Sequence, residues 1–417
     1  MQNFSYLYHS KHHIIVTQHK TILTALATLL LCCTLYPVAG SERQGVESQD
    51  GSPRDPRHNL SVEFRPAYNL ISHGYLGGRN PEGRIIDKCG SLHLRYSFEH
   101  SPTSRMGRIY PSLYQGIGIA AYTFGSHNCV GTPLAVYLFQ GATLGVISRG
   151  PSVGYEWNLG WSWGWVPNEA MNSPWNVLIN VGIPIGWQLG NGVELLLTPD
   201  FTHFSNGDTS FPNAGTNTFG LRVGITKHLH TPSNHPPRLE RLVAPSAELS
   251  VKTPRERLVW DLVGYGGWRA DRFFSDGKFC VSNRPHPNGG VQLSPLYLLN
   301  DHFGLGGSLD IFADTSANLY GAEWDEQTGE LVAYQRPSLW EQTSVGLSLR
   351  GEWRMGYCSV GVGSGVNIIT HGYDMRRYYT TFGLKCFFSE RAFLYVGYRL
   401  SSLQYTHNIM YGLGWRF

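Results

Sequence analysis

The chain has 417 residues and a net charge of +3, enough length for one large barrel or two small domains. Charged residues are 15% of the chain and aromatic residues 13%, with 49 glycines. The near-neutral balance argues against nucleic acid as a partner, and low charge with many glycines and aromatics suits a surface that meets lipid.

Residues 21–35 (TILTALATLLLCCTL) form an apolar run behind Lys11 and Lys20, and Val38 and Gly40 follow at cleavage spacing. The run is shorter than the ~20 residues of a spanning helix. It reads as a secretory signal peptide over residues 1–40, cut after Gly40. No other stretch is suited to cross a membrane as a helix, so any span is made of strands. Five of the seven cysteines follow the signal, namely Cys89, Cys129, Cys280, Cys358 and Cys386, and none has metal-ligand spacing.

After a polar lead-in over 41–58, alternation begins, and a strand shows alternate residues on opposite faces. Less regular strands fit 60–71, 115–124 and 133–141. Leu92, Leu94, Tyr96 and Phe98 alternate with Ser91, His93, Arg95, Ser97 and Glu99. Tyr155, Trp157, Leu159, Trp161, Trp163 and Trp165 alternate with glycine and small polar residues, a ladder that suggests a lipid interface. Ile179, Val181, Ile183, Ile185 and Trp187 make a further apolar face, as do Phe219, Leu221, Val223 and Ile225. With 193–205 this gives about eight strands, each near the ~9–11 residues of a membrane strand. The second face is rich in Gly, Ser and Asn, as a narrow barrel lumen requires.

In residues 193–205 the apolar face Val193, Leu195, Leu197, Pro199 and Phe201 ends in His203 and Ser205. In a membrane barrel that face meets lipid, so the His and Ser stand near a bilayer surface. Two strand residues at i and i+2 lie roughly 6.5–7 Å apart on one face, close enough for their side chains to lean together. This placement suits an enzyme whose substrate is itself a lipid. A His and a Ser at a strand end are, by themselves, also ordinary residues of a polar barrel rim.

Residues 228–252 break the alternation with a Pro and His cluster that contains His228, His230 and His235. Histidines in such a linker are more simply solvated than metal-bound. Alternation resumes with Val345, Leu347, Leu349, Trp353 and Met355 opposite Ser344, Gly346, Ser348, Arg350, Glu352 and Arg354. The chain ends on Ile409, Tyr411, Leu413, Trp415 and Phe417 on one face, and the aromatic last residue resembles the terminal signal of bacterial outer-membrane barrels. Residues 217–225 (NTFGLRVGI) can be laid over 408–415 (NIMYGLGW) with a one-residue slip, which makes a duplication plausible. The second copy has 398–402 (YRLSS) where the first has its His and Ser, so no active site is expected there.

Residues 203–217 (HFSNGDTSFPNAGTN) resemble the active-site signature of PagL-type lipid A 3-O-deacylases. That family has His-x-Ser-Asn at a strand end, a Pro-Asn-x-Gly turn and an acidic residue on the next strand. His203, Ser205 and Asn206 match the first element, and Pro212, Asn213 and Gly215 the second, without a gap. The resemblance covers about fifteen residues and no motif of the second half. It implies an outer-membrane esterase with Ser205 as nucleophile, His203 as general base and Asn206 with the Gly207 amide as oxyanion donors. Asn217 stands where the family has its acid. By parity it shares the outward face and can orient His203 through its carbonyl oxygen, though it cannot stabilise an imidazolium as a carboxylate does. Asp208 is a second candidate for that part.

The expected architecture is all-β and antiparallel: a transmembrane barrel over 59–229, a linker over 230–255 and a second barrel over 256–417 without an active site. Two tandem eight-stranded barrels are favoured over one sixteen-stranded barrel. The expected function is removal of an ester-linked acyl chain from lipid A, with no metal or organic cofactor, in the bacterial outer membrane. The implied partners are lipid A or lipopolysaccharide, outer-membrane lipid and the barrel assembly machinery, and no nucleic acid. The competing expectation is a non-catalytic outer-membrane barrel, either a degenerate enzyme or a channel.

Overall fold

The computed structural model describes residues 56–417 apart from 102–103, 148–149, 230–256, 271, 276–277, 283, 326–330, 373 and 402–404. The expected signal peptide, most of the polar lead-in and the expected linker, with His230 and His235, lie outside the described residues.

The first nine strands are β1 (Arg57–Leu70), β2 (Lys88–Glu99), β3 (Leu113–Thr123), β4 (Gly131–Val146), β5 (Ser152–Trp165), β6 (Trp175–Gly182), β7 (Ile185–Gly190), β8 (Val193–Ser205) and β9 (Thr216–His228). They pair in the order β4-β3-β2-β1-β9-β8-β6-β5, and β4 also pairs with β5, which closes the ring. β6 and β7 both lie between β5 and β8, so they fill one strand position and the barrel has eight. The sequence pattern ran through this break as one strand over 179–188. Pro184 has no N–H for the ladder, and the chain bridges the gap with single bonds from Ile183 N to Pro199 O and Gly154 N to Pro184 O. A short helix α1 (Arg105–Ile109) lies in the β2–β3 connection.

A second closed barrel is made of β10 (Leu258–Arg269), β13 (His286–Leu298), β14 (Phe303–Asp314), β17 (Thr343–Met355), β18 (Cys358–Ile369), β19 (Tyr378–Phe387), β20 (Ala392–Ser401) and β21 (Tyr405–Arg416). Two ribbons, β11 (Arg272–Ser275) with β12 (Lys278–Val281) and β15 (Tyr320–Trp324) with β16 (Leu331–Gln335), rise from its connections. Phe417 exchanges backbone bonds with Trp260 of 2.9 and 3.4 Å beyond the last ladder residue, so the terminal residue extends the seam that closes this barrel. The two rings close separately, which excludes a single sixteen-stranded barrel.

Both barrels are turned out relative to a soluble protein. Leu60, Val62 and Phe64 of β1, Leu92 and Leu94 of β2, and Phe219, Leu221, Val223 and Ile225 of β9 are exposed, while Glu63, Arg65, Arg95 and Arg222 are buried. Leu349 of the second barrel is 79% exposed. Closed ladders with an apolar outside satisfy every backbone group and give lipid its surface.

The lumen of the first barrel is filled. Arg222 reaches Glu156 at 2.7 Å, Asp200 at 2.8 Å and Glu63 at 3.2 Å, and Arg65 pairs with Asp200 and Arg95 with Glu63, both at 2.6 Å. Each buried charge therefore has an opposite partner, which is what makes its burial tolerable. Above this network Tyr122, Phe124, Trp165, Met171 and Phe204 form an apolar plug. A cavity lined by Arg95, Ser97, Glu156 and Glu194 measures ≈ 30 Å³, room for a water rather than an ion path. In the second barrel Asp261, Glu352, Lys385 and Arg416 make the equivalent network. The channel expectation has no support in these packed lumens.

The Trp face of β5 differs from the alternating lipid-facing ladder in two ways. Gly164, at φ +91°, shifts the strand by one residue, so Trp165 turns inward and is 3% exposed. The remaining outward face lies partly against the second barrel: Trp161 stacks with Tyr411 at 6.0 Å, and Tyr155 meets Trp353 at 5.4 Å. Near the opposite rim, Gln140 Nε2 donates to Met355 O at 3.0 Å and Tyr110 Oη to Asp301 O at 2.8 Å. The barrels thus stand side by side, outer face to outer face.

Candidate active site

The end of β8 is held by its inward side chain. Phe204 is fully buried, with Trp165 at 5.0 Å and Tyr122 at 5.1 Å between ring centroids. Burying such a ring is worth about 1.5–3 kcal/mol, and the pleat then forces His203 and Ser205 outward. Both are half-buried. Their apolar surroundings are Ile179 beside His203, Leu70 beside Asn217, and Phe201 and Phe219 one pleat further along the wall.

His203 pairs directly with Asn217 across β8 and β9, and its Nδ1 lies 2.7 Å from Asn217 Oδ1. An amide oxygen can only accept, so Nδ1 carries the hydrogen and Nε2 keeps its lone pair. Ser205 makes no side-chain hydrogen bond among the described residues. The structure thus brings His203 and Asn217 together and places Ser205 one pleat along the same face. Contact between nucleophile and base is often loose before substrate is bound.

Asn206 is placed differently from the expectation. Its side chain is fully buried, Nδ2 donates to Ser210 O at 2.9 Å, and its backbone N–H donates to Asn213 Oδ1 at 3.1 Å. The pleat turns it away from the Ser205 face, so its donors hold the loop together. Gly207 follows at φ +65° and is buried, and its N–H donates to no group among the described residues. This donor without a protein partner lies two residues beyond Ser205. Asp208 does not reach His203; its Oδ1 accepts from Asn213 Nδ2 at 2.9 Å.

Gly215 supports the site in a way that sequence reasoning missed. It has φ +69°, and a Cβ built on it would lie 2.9 Å from His203 Cε1. Its carbonyl accepts from Ser72 Oγ at 3.0 Å. The Pro-Asn-x-Gly turn therefore leaves the imidazole its room. The neighbouring loop braces this turn: Ala214 N donates to Ala170 O at 2.8 Å and Asn172 N to Pro212 O at 2.9 Å. The positive φ demanded by a turn was the available signal; the imidazole packed against it was not visible without coordinates.

Among the described residues no group of three His, Cys, Asp or Glu side chains is arranged to hold a metal ion. His228 is turned inward, with Nδ1 2.6 Å from Asn59 Oδ1.

Residues 90–226, from β2 to near the end of β9, match the family model for lipid A 3-O-deacylase (PagL). The first barrel belongs to the PagL family. The second half, in which no motif resembled a known family, matches the acyloxyacyl hydrolase C-terminal domain over residues 258–417. No curated protein matches the chain. Similar solved structures include Neisserial surface protein A, at 10% identity and a TM-score of 0.28, covering 41% of this chain and 96% of that one. A triple-mutant porin of Rhodopseudomonas blastica has 10% identity and a TM-score of 0.16, covering 87% and 100%. CdiB from Acinetobacter baumannii has 8% identity and a TM-score of 0.18, covering 86% and 60%. With its PagL-family first barrel, the protein is outer-membrane and lipid A deacylase-like.

Proposed function

We propose that the first barrel hydrolyses an ester-linked acyl chain of lipid A, with Ser205 as nucleophile, His203 as base and Asn217 as the group that orients the base. The observation that carries this reading is the His203–Asn217 hydrogen bond of 2.7 Å on the outer face, beside Ser205. The site also lies at the appropriate end. The connections there span 71–87, 124–130, 166–174 and 206–215, generally longer than those opposite, as on the extracellular side of such barrels. Lipid A occupies the leaflet on that side.

Ser205 Oγ would attack the acyl carbonyl while His203 Nε2 takes its proton. The negative charge that develops on the carbonyl oxygen meets the Gly207 N–H. The imidazolium then protonates the departing sugar oxygen as the C–O bond breaks, leaving an acyl-Ser205 ester. Water, deprotonated by the same Nε2, hydrolyses that ester and releases the fatty acid. The acyl chain would lie along Phe201 and Ile179 and needs no enclosed pocket, because lipid already surrounds it. Lipid A or whole lipopolysaccharide would supply the substrate, and the barrel assembly machinery would insert the chain by way of its terminal strand.

Purified protein in detergent should release fatty acid from lipid A, as read by mass spectrometry, while Ser205→Ala and His203→Ala should release none. Equal release by wild type and Ser205→Ala would reject the mechanism.

A further inference from the structure

The turn that follows Ser205 is touched by the second barrel. Ile409 of β21 is 8% exposed although its neighbours Leu413 and Trp415 on the same face are 61% and 44% exposed. What covers it is the Gly207 turn: a Cβ built on Gly207 would lie 2.2 Å from Ile409 Cδ1. Next to it, Ala270 N, at the end of β10, donates to Asp208 O at 2.7 Å. The contact continues under the nucleophile. Val177 pairs with Ser205 and faces outward, yet is only 4% exposed, and Trp161, its partner on β5, stacks on Tyr411.

We infer that the second barrel is part of the active site's construction: Ile409, with the Ala270 amide, clamps the Gly207–Asp208 turn so that the Gly207 N–H is held for the oxyanion. This rests on the deacylase reading above. The physical need is specific. A glycine at positive φ is the least restrained residue in the chain, whereas an oxyanion donor is effective only if it does not reorganise as charge develops. The first barrel alone supplies one side of that turn, through Asn213 and the Ser210 carbonyl. Ile409 closes the other side with a side chain whose branched shape leaves it few rotamers. The second barrel thus has a use although it lacks the His-x-Ser pair: it is a positioning element, and Ile409 is a positioning residue.

The test uses the full chain in detergent, with kcat and KM for fatty-acid release from lipid A and the rate at which an alkyl fluorophosphonate labels Ser205. Ile409→Ala should lower both kcat and the labelling rate roughly tenfold with KM unchanged, short of the ~10²–10³-fold lost when an oxyanion donor is removed outright. Ile409→Leu should restore both to near wild type. Gly207→Ala should be severely impaired, and Ile409→Ala added to it should recover part of the loss, because the clash is then relieved while the unfavourable φ remains. Unshifted heat-modifiable mobility shows that each variant is folded. Wild-type kcat and labelling in folded Ile409→Ala, or no rescue by leucine, would overturn the inference while leaving the deacylase reading intact. A wild type that neither releases fatty acid nor is labelled at Ser205 would overturn both.

Discussion

Asn217 stands where the PagL pattern has an acid, and it holds His203 through a neutral oxygen. On the proposed mechanism this supplies orientation, but the imidazolium would gain less than it would from a carboxylate. Asn217→Glu should raise kcat, and Asn217→Ala should lower it with the barrel still assembled; steady-state release of fatty acid reads both. General acid–base assistance is worth about 10²–10⁴-fold in all, and the gain from glutamate is a part of that. Gly215→Ala is the complementary case. Its methyl group would meet the imidazole at 2.9 Å and occupy a backbone conformation strained for alanine. It should lower kcat at least as much as Asn217→Ala, and addition of free imidazole should not restore it, because the ring is displaced rather than missing. At this scale the sequence was readable wherever strand parity governs. His203, Ser205 and Asn217 fall on one face as their spacing requires. Where Asn206 and Asp208 point was not readable, because they lie in the turn, where hydrogen bonds to Ser210 and Asn213 decide direction.

Strand length, alternation and the outward apolar face were legible for most elements, since the pleat makes them a matter of counting. The two misread strands are those where local backbone chemistry interrupts the count, at Pro184 and at Gly164. The contact between the barrels was not legible, because an aromatic face turned to lipid and one turned to a second barrel have the same composition. That contact has a pH signature. Burial presses His100, in the turn after β2, down from 6.5 to about 4, and its ring lies 5.3 Å from Tyr357 of the second barrel. The folded chain keeps this histidine neutral where the unfolded chain takes up a proton, so stability is lost as pH falls from 6.5 toward 4. His100→Phe should flatten that part of the pH dependence of the urea midpoint; an unchanged slope would contradict it. Cys358 and Cys386 form a second local test. They pair directly on β18 and β19, with their sulfurs 3.1 Å apart, at the end opposite the active site. Exchange with an oxidised dithiol catalyst of the periplasm would leave them as a disulfide, and non-reducing peptide mapping should recover 358 linked to 386.

Across the whole molecule, two filled barrels stand side by side, and each replaces a solvent-facing surface by an internal charge network. Arg222 is the hub of the first network, with three carboxylates around it. Arg222→Ala would leave those charges uncompensated in the lumen and should cost about 3–5 kcal/mol, read as a lower urea midpoint; Arg222→Lys should recover only part, because one ammonium cannot span three partners. The barrel class was legible from composition and period, and the division into two rings followed from the broken alternation at 228–252. The use of the second ring was not, because it depends on which turn Ile409 meets. On the proposed function, His203 and Ser205 on the outer wall of the first barrel remove acyl chains from lipid A. The most direct test of this is mass spectrometry of lipid A from outer membranes of cells expressing the wild-type protein or Ser205→Ala. Loss of one acyl chain with the wild type and intact lipid A with Ser205→Ala is the expected result; intact lipid A in both, with both barrels assembled, would contradict it.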